Sequence, residues 1–229
     1  MTQSPVAGKL PIIAVVGGTG HLGAALARGW AKAGYPVVIG SREASRAVEA
    51  ASALVTETGG TVTGADNLAA ATTADIIAVT VPFSHQRRIL EEIRPVVKGK
   101  LVVDTTVPLV PPKVARVQLP PEDSAAIAGQ AILGEEVTVV SAFHNVAAHN
   151  LARDSVDCDV LVFGDSQPAR ARVVSLVEAL GLRGLHGGAL ANSTAAEALT
   201  SVLVFINRIY AADGAGLRIT GKLAPPKDV

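Results

Sequence analysis

Seven short runs rich in β-branched residues recur along the chain, separated by alanine-rich stretches, and most are apolar from end to end rather than alternating. They are PIIAVVG (11–17), PVVIGS (36–41), DIIAVTVP (75–82), KLVVDTT (100–106), EVTVVSAF (136–143), DVLVFGD (159–165) and LRGL (182–185). A strand with one wet face alternates in polarity; one buried on both faces does not. The pattern therefore predicts an α/β fold, a Rossmann-like doubly wound and mostly parallel sheet with helices on both faces and a short C-terminal helical extension. A chain of 229 residues, 49% of them apolar, has enough material for the core such a sheet needs. The expected division is a nucleotide-binding domain over residues 9–186 and a small C-terminal part over 187–229, containing a helix at about 192–212 and a Pro-rich tail.

The first run leads into VVGGTGHLGAALARGW (15–30), where Gly18, Gly20 and Gly23 stand in GxGxxG order. Leu22, Ala25, Leu26, Gly29, Trp30 and Ala33 then recur at helical spacing, with Arg28 and Lys32 opposite and Gly34 at the end. In a strand, turn, helix unit of this kind, Gly18 permits the tight turn, Gly20 lets the backbone approach a pyrophosphate, and Gly23 lets the helix pack on the strand. The amide groups at the helix start then face an anion. Thr19 either donates a hydroxyl bond nearby or fills a turn position. His21 sits on the first helical turn, where a solvated side chain is the simpler expectation. Dinucleotide binding is the function this context points to.

The end of the second run selects the nucleotide. A unit preferring NAD places a carboxylate there for the ribose hydroxyls. This chain has GSREASRA (40–47), with Ser41 and Arg42 in that place and Arg46 one helical turn later. A hydroxyl and two guanidinium groups suit a 2′-phosphate and favour NADP, the alternative being ordinary surface charge at a helix start.

Ligands in open α/β sheets lie beyond the carboxyl ends of the strands. In TVPFSH (80–85), Pro82 stops the strand, Phe83 is placed near a nicotinamide or simply packs, and Ser84 is the expected N-cap of the next helix, which His85 decorates. In SAFHNVAAHN (141–150), His144 is a candidate contact to a second substrate or a local hydrogen-bonding residue.

Other chemistries lack their residues. A Tyr with Lys four places on is missing, since Ile39 follows Tyr35 and Gly214 follows Tyr210 at that spacing. GLRITGK (216–222) matches a phosphate loop until Leu223 replaces the metal-binding hydroxyl. No GxSxG elbow or paired-carboxylate signature is present. Cys158 is the sole cysteine, and His21, His85, His144, His149 and His186 show no metal-ligand spacing with it, so no metal site is expected. Twenty basic and twenty acidic residues cancel, giving no electrostatic reason for a nucleic-acid or membrane partner. Without a leader-like start or a spanning apolar segment, a soluble cytoplasmic protein is expected.

Taken together, VVGGTGHLGAALA, IGSREASRA, VPFSH in the place of an Ile-Pro-Trp-x-His segment, VVSAFHNVAA and GALANSTAAEALTSVLVFIN resemble the NADPH-dependent reductases of the deazaflavin coenzyme F420. The resemblance covers nearly the whole chain. It implies a Rossmann-like domain carrying NADP(H), a small C-terminal part helping to form the cleft, and F420 lying on the nicotinamide. By position it implies a cofactor-binding set of Gly18, Thr19, Gly20, His21, Leu22, Gly23, Ser41, Arg42, Arg46, Thr80, Val81, Pro82 and Phe83. It implies a substrate-binding set of His144, Asn145, Val146 and Ala147. Asn145, Ala147 and Phe83 depart from the Thr, Pro and Trp of the family pattern. Hydride transfer between two stacked rings needs proximity and orientation rather than an acid or base, so no catalytic side chain is expected. Arg153, Arg208, Arg218 and Lys222 are candidates to guide an anionic coenzyme tail, or are solvated surface charges.

Three other readings stay open. An imine reductase or hydroxyacid dehydrogenase usually carries a large helical domain after its nucleotide-binding half, whereas 43 residues follow His186 here. A reductase of an ordinary flavin and a non-catalytic NADPH-sensing module keep the same nucleotide signature. The apolar stripe of the last helix makes a homodimer the expected assembly.

Overall fold

The computed structural model describes residues 9–151 and 156–226. Eight strands form one sheet in the order β3-β2-β1-β4-β5-β6-β7-β8. The first half comprises β1 (Ile13–Val16), α1 (His21–Lys32), β2 (Val37–Ser41), α2 (Ala44–Thr58), β3 (Val62–Asp66), α3 (Asn67–Thr73), β4 (Ile76–Val79) and α4 (Phe83–Ile93). The second comprises β5 (Leu101–Asp104), α5 (Ala125–Leu133), β6 (Thr138–Ser141), α6 (Ala148–Leu151), β7 (Asp159–Phe163), α7 (Gln167–Glu178), β8 (Arg183–Gly188) and α8 (Ser193–Tyr210). All neighbouring pairs are parallel except β6 and β7, which meet antiparallel at Ser141 and Phe163. The sheet is thus mostly parallel, as its continuous apolar runs predict. The expected boundary after residue 186 falls inside β8.

Burial on both faces is visible within single strands. Ile13 and Val15 of β1 join a core with Leu26, Trp30, Ile39 and Leu176, while Ala14 and Val16 join a second core with Ile77, Val79, Ile89 and Ile93. Trp30 is fully buried, meets Phe143 edge-on at 6.1 Å, and donates its indole N–H to the Leu176 carbonyl at 3.0 Å. Its polar atom is thereby satisfied inside the apolar layer.

β3 is the strand that the apolar-run pattern does not contain. Its sequence VTGAD is half polar because it is an edge strand with most side chains partly exposed. Gly64 is required there by packing, since a Cβ would stand 2.3 Å from the Ala47 backbone of α2.

Outside the sheet, the tail crosses β7 and is held by Asp159. That buried carboxylate takes a bidentate bond from Arg183 at 2.7 and 2.5 Å and accepts the Ile219 N–H at 2.6 Å. Arg183 also donates to the Ile219 carbonyl at 2.8 Å, so both polar groups of the Ile219 backbone are used. The Arg183 bond holds the Asp159 carboxyl below the usual carboxylate range. No helix among the described residues is long and apolar enough to cross a membrane.

Candidate functional site: a nucleotide cleft at the switch in strand order

Strands β1 and β4 lie side by side although three helices separate them in sequence, and the chain leaves them in opposite directions across the sheet. Between their carboxyl ends lies a crevice, the usual ligand position in an open α/β sheet. The glycine turn forms one wall. Gly17, with φ +78°, holds the left-handed conformation that makes the turn, so the tight-turn role expected of Gly18 belongs to its predecessor. Gly18 is instead required by contact, because a Cβ there would sit 2.7 Å from the Val15 carbonyl. Gly23 serves the expected packing role, with a Cβ position 2.5 Å from the Thr80 hydroxyl and 2.7 Å from the Gly18 Cα. Gly20 faces open space apart from the Gly17 carbonyl at 3.3 Å. It caps α1 without a side-chain bond, and the first turn carries no acidic residue, so the helix start is electropositive and accessible.

A cavity of about 250 Å³ opens from this turn. Gly17, Thr19 and Gly20 bound one side, Ser41, Arg42 and Arg46 the second, and Thr80, Val81 and Pro82 the floor beside β4. Eight of the residues expected at the cofactor therefore converge here. Ser41 is buried at the end of β2 and its Oγ accepts the Glu43 N–H at 3.3 Å. Arg42 and Arg46 are exposed at the rim. Glu43 also lines the cavity, but its carboxylate is drawn to Arg46, 3.7 Å away. The donor set is one that a dinucleotide bearing a 2′-phosphate would fit, with free amide groups at the helix start to suit a pyrophosphate and two guanidiniums to suit a further anion.

Other expected residues lie outside this lining. Gly18 is internal to the turn, Gly23 is buried in the first turn of α1, Leu22 is half-buried against the core, and His21 is exposed on α1. Phe83 is half-buried and does not line the cavity. It opens α4, for which Pro82 is the N-cap, so Ser84 lies inside the first turn and not at the cap as expected. The fixed φ of Pro82, −57°, already suits the helix start, and its carbonyl accepts the His85 N–H at 2.8 Å. Six contributors were not read as site residues from sequence: Gly17 of the turn, Glu43 before α2, Asn67 of α3, and His85, Arg88 and Ile89 of α4. His85, Arg88 and Ile89 share a helix face at i, i+3, i+4, which is the signal that would have found them once α4 was placed beside the crevice.

The loop after β6 is built differently. His144 is 6% exposed, its Nε2 lies 2.6 Å from Ser141 Oγ, and its ring is 6.2 Å from that of Phe163. Burial pushes its pKa down to about 3, so the imidazole is neutral. Asn145 donates to the Ala196 carbonyl at 2.9 Å and the Thr200 hydroxyl at 3.2 Å, and Thr200 donates to the His144 carbonyl at 3.0 Å. Their side chains therefore tie the loop to β6 and α8. Val146 and Ala147 line a separate cavity of about 180 Å³ with Asn150, Cys158 and Gly216. Of the candidate tail cations, Arg208 and Lys222 are exposed, Arg218 pairs with Asp157, and Arg153 lies outside the described residues.

Comparison with known proteins agrees with this geometry. The family model described as NADP oxidoreductase coenzyme F420-dependent matches residues 12–108, which hold the glycine turn, the arginines and the end of β4. The F420-dependent NADP reductase of Methanothermobacter thermautotrophicus is 38% identical over 218 residues, covering 91% of this chain and 94% of the relative. That of Methanocaldococcus jannaschii is 36% identical over 220 residues, covering 91% and 97%. Among solved structures, a chain from Arthrobacter sp. FB24 superposes with a TM-score of 0.79 at 24% identity, over 92% of this chain and 100% of that one, a likeness of fold. A pyrroline-5-carboxylate reductase from Coxiella burnetii shares the fold more distantly, with a TM-score of 0.55 at 16% identity over 78% of this chain and 59% of that one. With relatives 36–38% identical and matched over nearly their full length, this chain belongs to the F420-dependent NADP reductase family.

Proposed function

We propose that the protein transfers hydride between NADP(H) and the deazaflavin coenzyme F420. The observation that carries the reading is the meeting of the Gly17–Gly20 turn with Ser41, Arg42 and Arg46 in one cavity at the switch between β1 and β4, in a chain whose full-length relatives are F420-dependent NADP reductases. When bound, the nicotinamide and deazaflavin rings donate and accept the hydride between them. The protein's part is to bind, orient and exclude water. The turn and the start of α1 neutralise the pyrophosphate, the two arginines and Ser41 hold the 2′-phosphate, and Thr80, Val81 and Pro82 border the nicotinamide end.

The 144–147 segment shapes the second coenzyme's place. Asn145 and His144 act through the loop they pin, Val146 anchors it in the core, and Ala147 lies half-exposed at its edge. The C-terminal part contributes through α8, which holds that loop from behind. A neutral, buried His144 fits a reaction that asks no side chain for a proton, in which the protein would contribute by orienting the two coenzymes and excluding water.

Mixing the purified protein with NADPH and oxidised F420 and following loss of deazaflavin absorbance tests the reading. Turnover with F420 supports it. Reduction of FMN alone, of an imine, or of nothing overturns it in favour of a flavin reductase, an imine reductase or a nucleotide-sensing module respectively.

We further propose that the protein is a homodimer joined through α8. Val202, Phe205 and Ile209 are 44%, 51% and 57% exposed and recur at helical spacing, forming an apolar stripe that a second copy would cover.

A further inference from the structure

Asn67 is 1% exposed, yet its Oδ1 is buried with no hydrogen-bond partner among the described residues. It is the first residue of α3, but it does not cap that helix. Asp66 does so, accepting the Ala69 N–H at 2.8 Å. Asn67 lies against β2, where a Cβ on Gly40 would come within 3.0 Å of its Oδ1, so the strand is trimmed to a glycine beside it. It also lines the nucleotide cavity, between Ser41 and the His85 and Arg88 face of α4.

A buried amide oxygen without a donor is a net cost to the fold, and a leucine of similar size would remove that cost. No donor on the described residues that share the cavity, Ser41, His85 and Arg88 included, reaches this oxygen, and the Thr80 hydroxyl donates instead to the Val16 carbonyl at 2.9 Å. The geometry points to the Asn67 side-chain amide, its oxygen turned from Gly40 toward the cavity when the dinucleotide enters, as an acceptor for a hydrogen donor on the adenosine part, either a ribose hydroxyl or the exocyclic amine of the base. Asn67 is thus a binding residue whose bond forms only with ligand, while Arg42 and Arg46 read the phosphate. This inference rests on the NADP reading of the cavity.

The test uses the full chain and adenosine 2′,5′-bisphosphate, which carries the adenosine and its phosphate without the nicotinamide. Calorimetric affinity and the thermal midpoint of the free protein are measured for wild type and Asn67→Leu. The expected result is an unchanged or higher midpoint together with affinity about tenfold weaker, the loss of one sequestered hydrogen bond. A midpoint that falls markedly assigns Asn67 to the fold and overturns the inference, as does unchanged affinity.

A second arm alters the ligand and leaves the protein intact. Inosine 2′,5′-bisphosphate lacks the amine and the 3′-deoxy analogue lacks the ribose hydroxyl. Weaker binding of one of them to wild type identifies the donor, and equal binding of all three overturns the inference. Wild type that binds none of these nucleotides fails the NADP reading itself, whereas tight wild-type binding with no effect of either change fails only the role of Asn67.

Discussion

Glu197 lays its carboxylate over the start of α5, accepting the Ala125 N–H at 2.6 Å with one oxygen and the Ala126 N–H at 3.1 Å with the other. It is 1% exposed, and Ser193 and Ser124 join beside it at 3.1 Å, so α8 is pinned to α5 by buried polar contacts. Burial pushes its pKa up from 4.5 to about 7, and it pushes the nearby Asp104 carboxyl in the same direction. The folded state therefore holds the Glu197 proton more tightly than the unfolded state does. Its contribution to stability is full below about pH 4.5 and is lost as pH rises through 7. His144 acts with the opposite sign. Its folded pKa is lowered from 6.5 to about 3, so its contribution is present above 6.5 and lost as pH falls. Between pH 4.5 and 6.5 each changes stability by on the order of 2 to 3 kcal/mol, in opposing directions. Glu197→Gln should make stability rise with pH across that window, and His144→Gln should make it fall, as read from denaturant midpoints. Two variants with the same slope as wild type would refute the assignment.

Arg42 and Arg46 are predicted to set cofactor choice. Both line the cavity that holds the glycine turn, and Arg46 can leave its exposed contact with Glu43 at little cost, since such surface pairs contribute about 0 to 1 kcal/mol. Replacing both by alanine should weaken NADPH binding by tens-fold or more, through loss of charge-assisted bonds of about 1.5 to 3 kcal/mol each, while NADH affinity changes little. Fluorescence titration with the two nucleotides measures this, and an equal loss for both would contradict the 2′-phosphate role.

Gly23→Ala tests the seating of α1. Its added methyl would meet the Thr80 hydroxyl at 2.5 Å and the Gly17 carbonyl at 2.9 Å, both within the wall of the cleft. Overpacking of this kind costs about 1 to 3 kcal/mol, and relief can come only by lifting the helix from the turn. The expected outcome is a lower thermal midpoint with nucleotide binding lost or greatly weakened. Unchanged binding would show that the turn tolerates the shift.

Phe205→Glu with Ile209→Glu tests the assembly. Charges placed on the exposed stripe of α8 cannot be desolvated in an interface, but they face away from the contacts that hold α8 to the fold. Light scattering should report a dimer for wild type and a folded monomer for the double variant. A wild-type monomer at micromolar concentration would remove the proposal.

The parts of the site most legible in the sequence lie within one strand, turn, helix unit and its successor. Gly18, Gly20, Gly23, Ser41, Arg42 and Arg46 were readable because spacing along a strand or helix turns directly into position in space. Even there the left-handed turn residue is Gly17 and not Gly18, since the choice depends on where Gly40 of the neighbouring strand accepts the turn's amide groups, at 3.1 Å from Gly17 and 3.0 Å from Gly18. Ser84 looked like a cap for a similar reason: a local preference for serine was overridden by a proline already carrying the right φ.

Asn67 and Arg88 were not legible, although each lines the same cavity as Arg42. They come from α3 and α4, which reach the crevice only because the chain crosses the sheet from β3 to β4 and sets β4 against β1. His144 carried no sign of its burial either, since Phe163, Thr200 and the antiparallel pairing of β6 with β7 make its surroundings from distant parts of the chain.

By itself the sequence determined the alternation of strands and helices, the double-sided burial of the sheet, and the glycine turn with a pair of arginines after the next strand, because each follows from periodicity and residue type over a few neighbours. The tertiary structure alone decided which side chains share the cavity, which polar groups are left without partners, and which carboxyl and imidazole groups are driven from their ordinary protonation, because contact and desolvation depend on pairings between segments far apart in the chain.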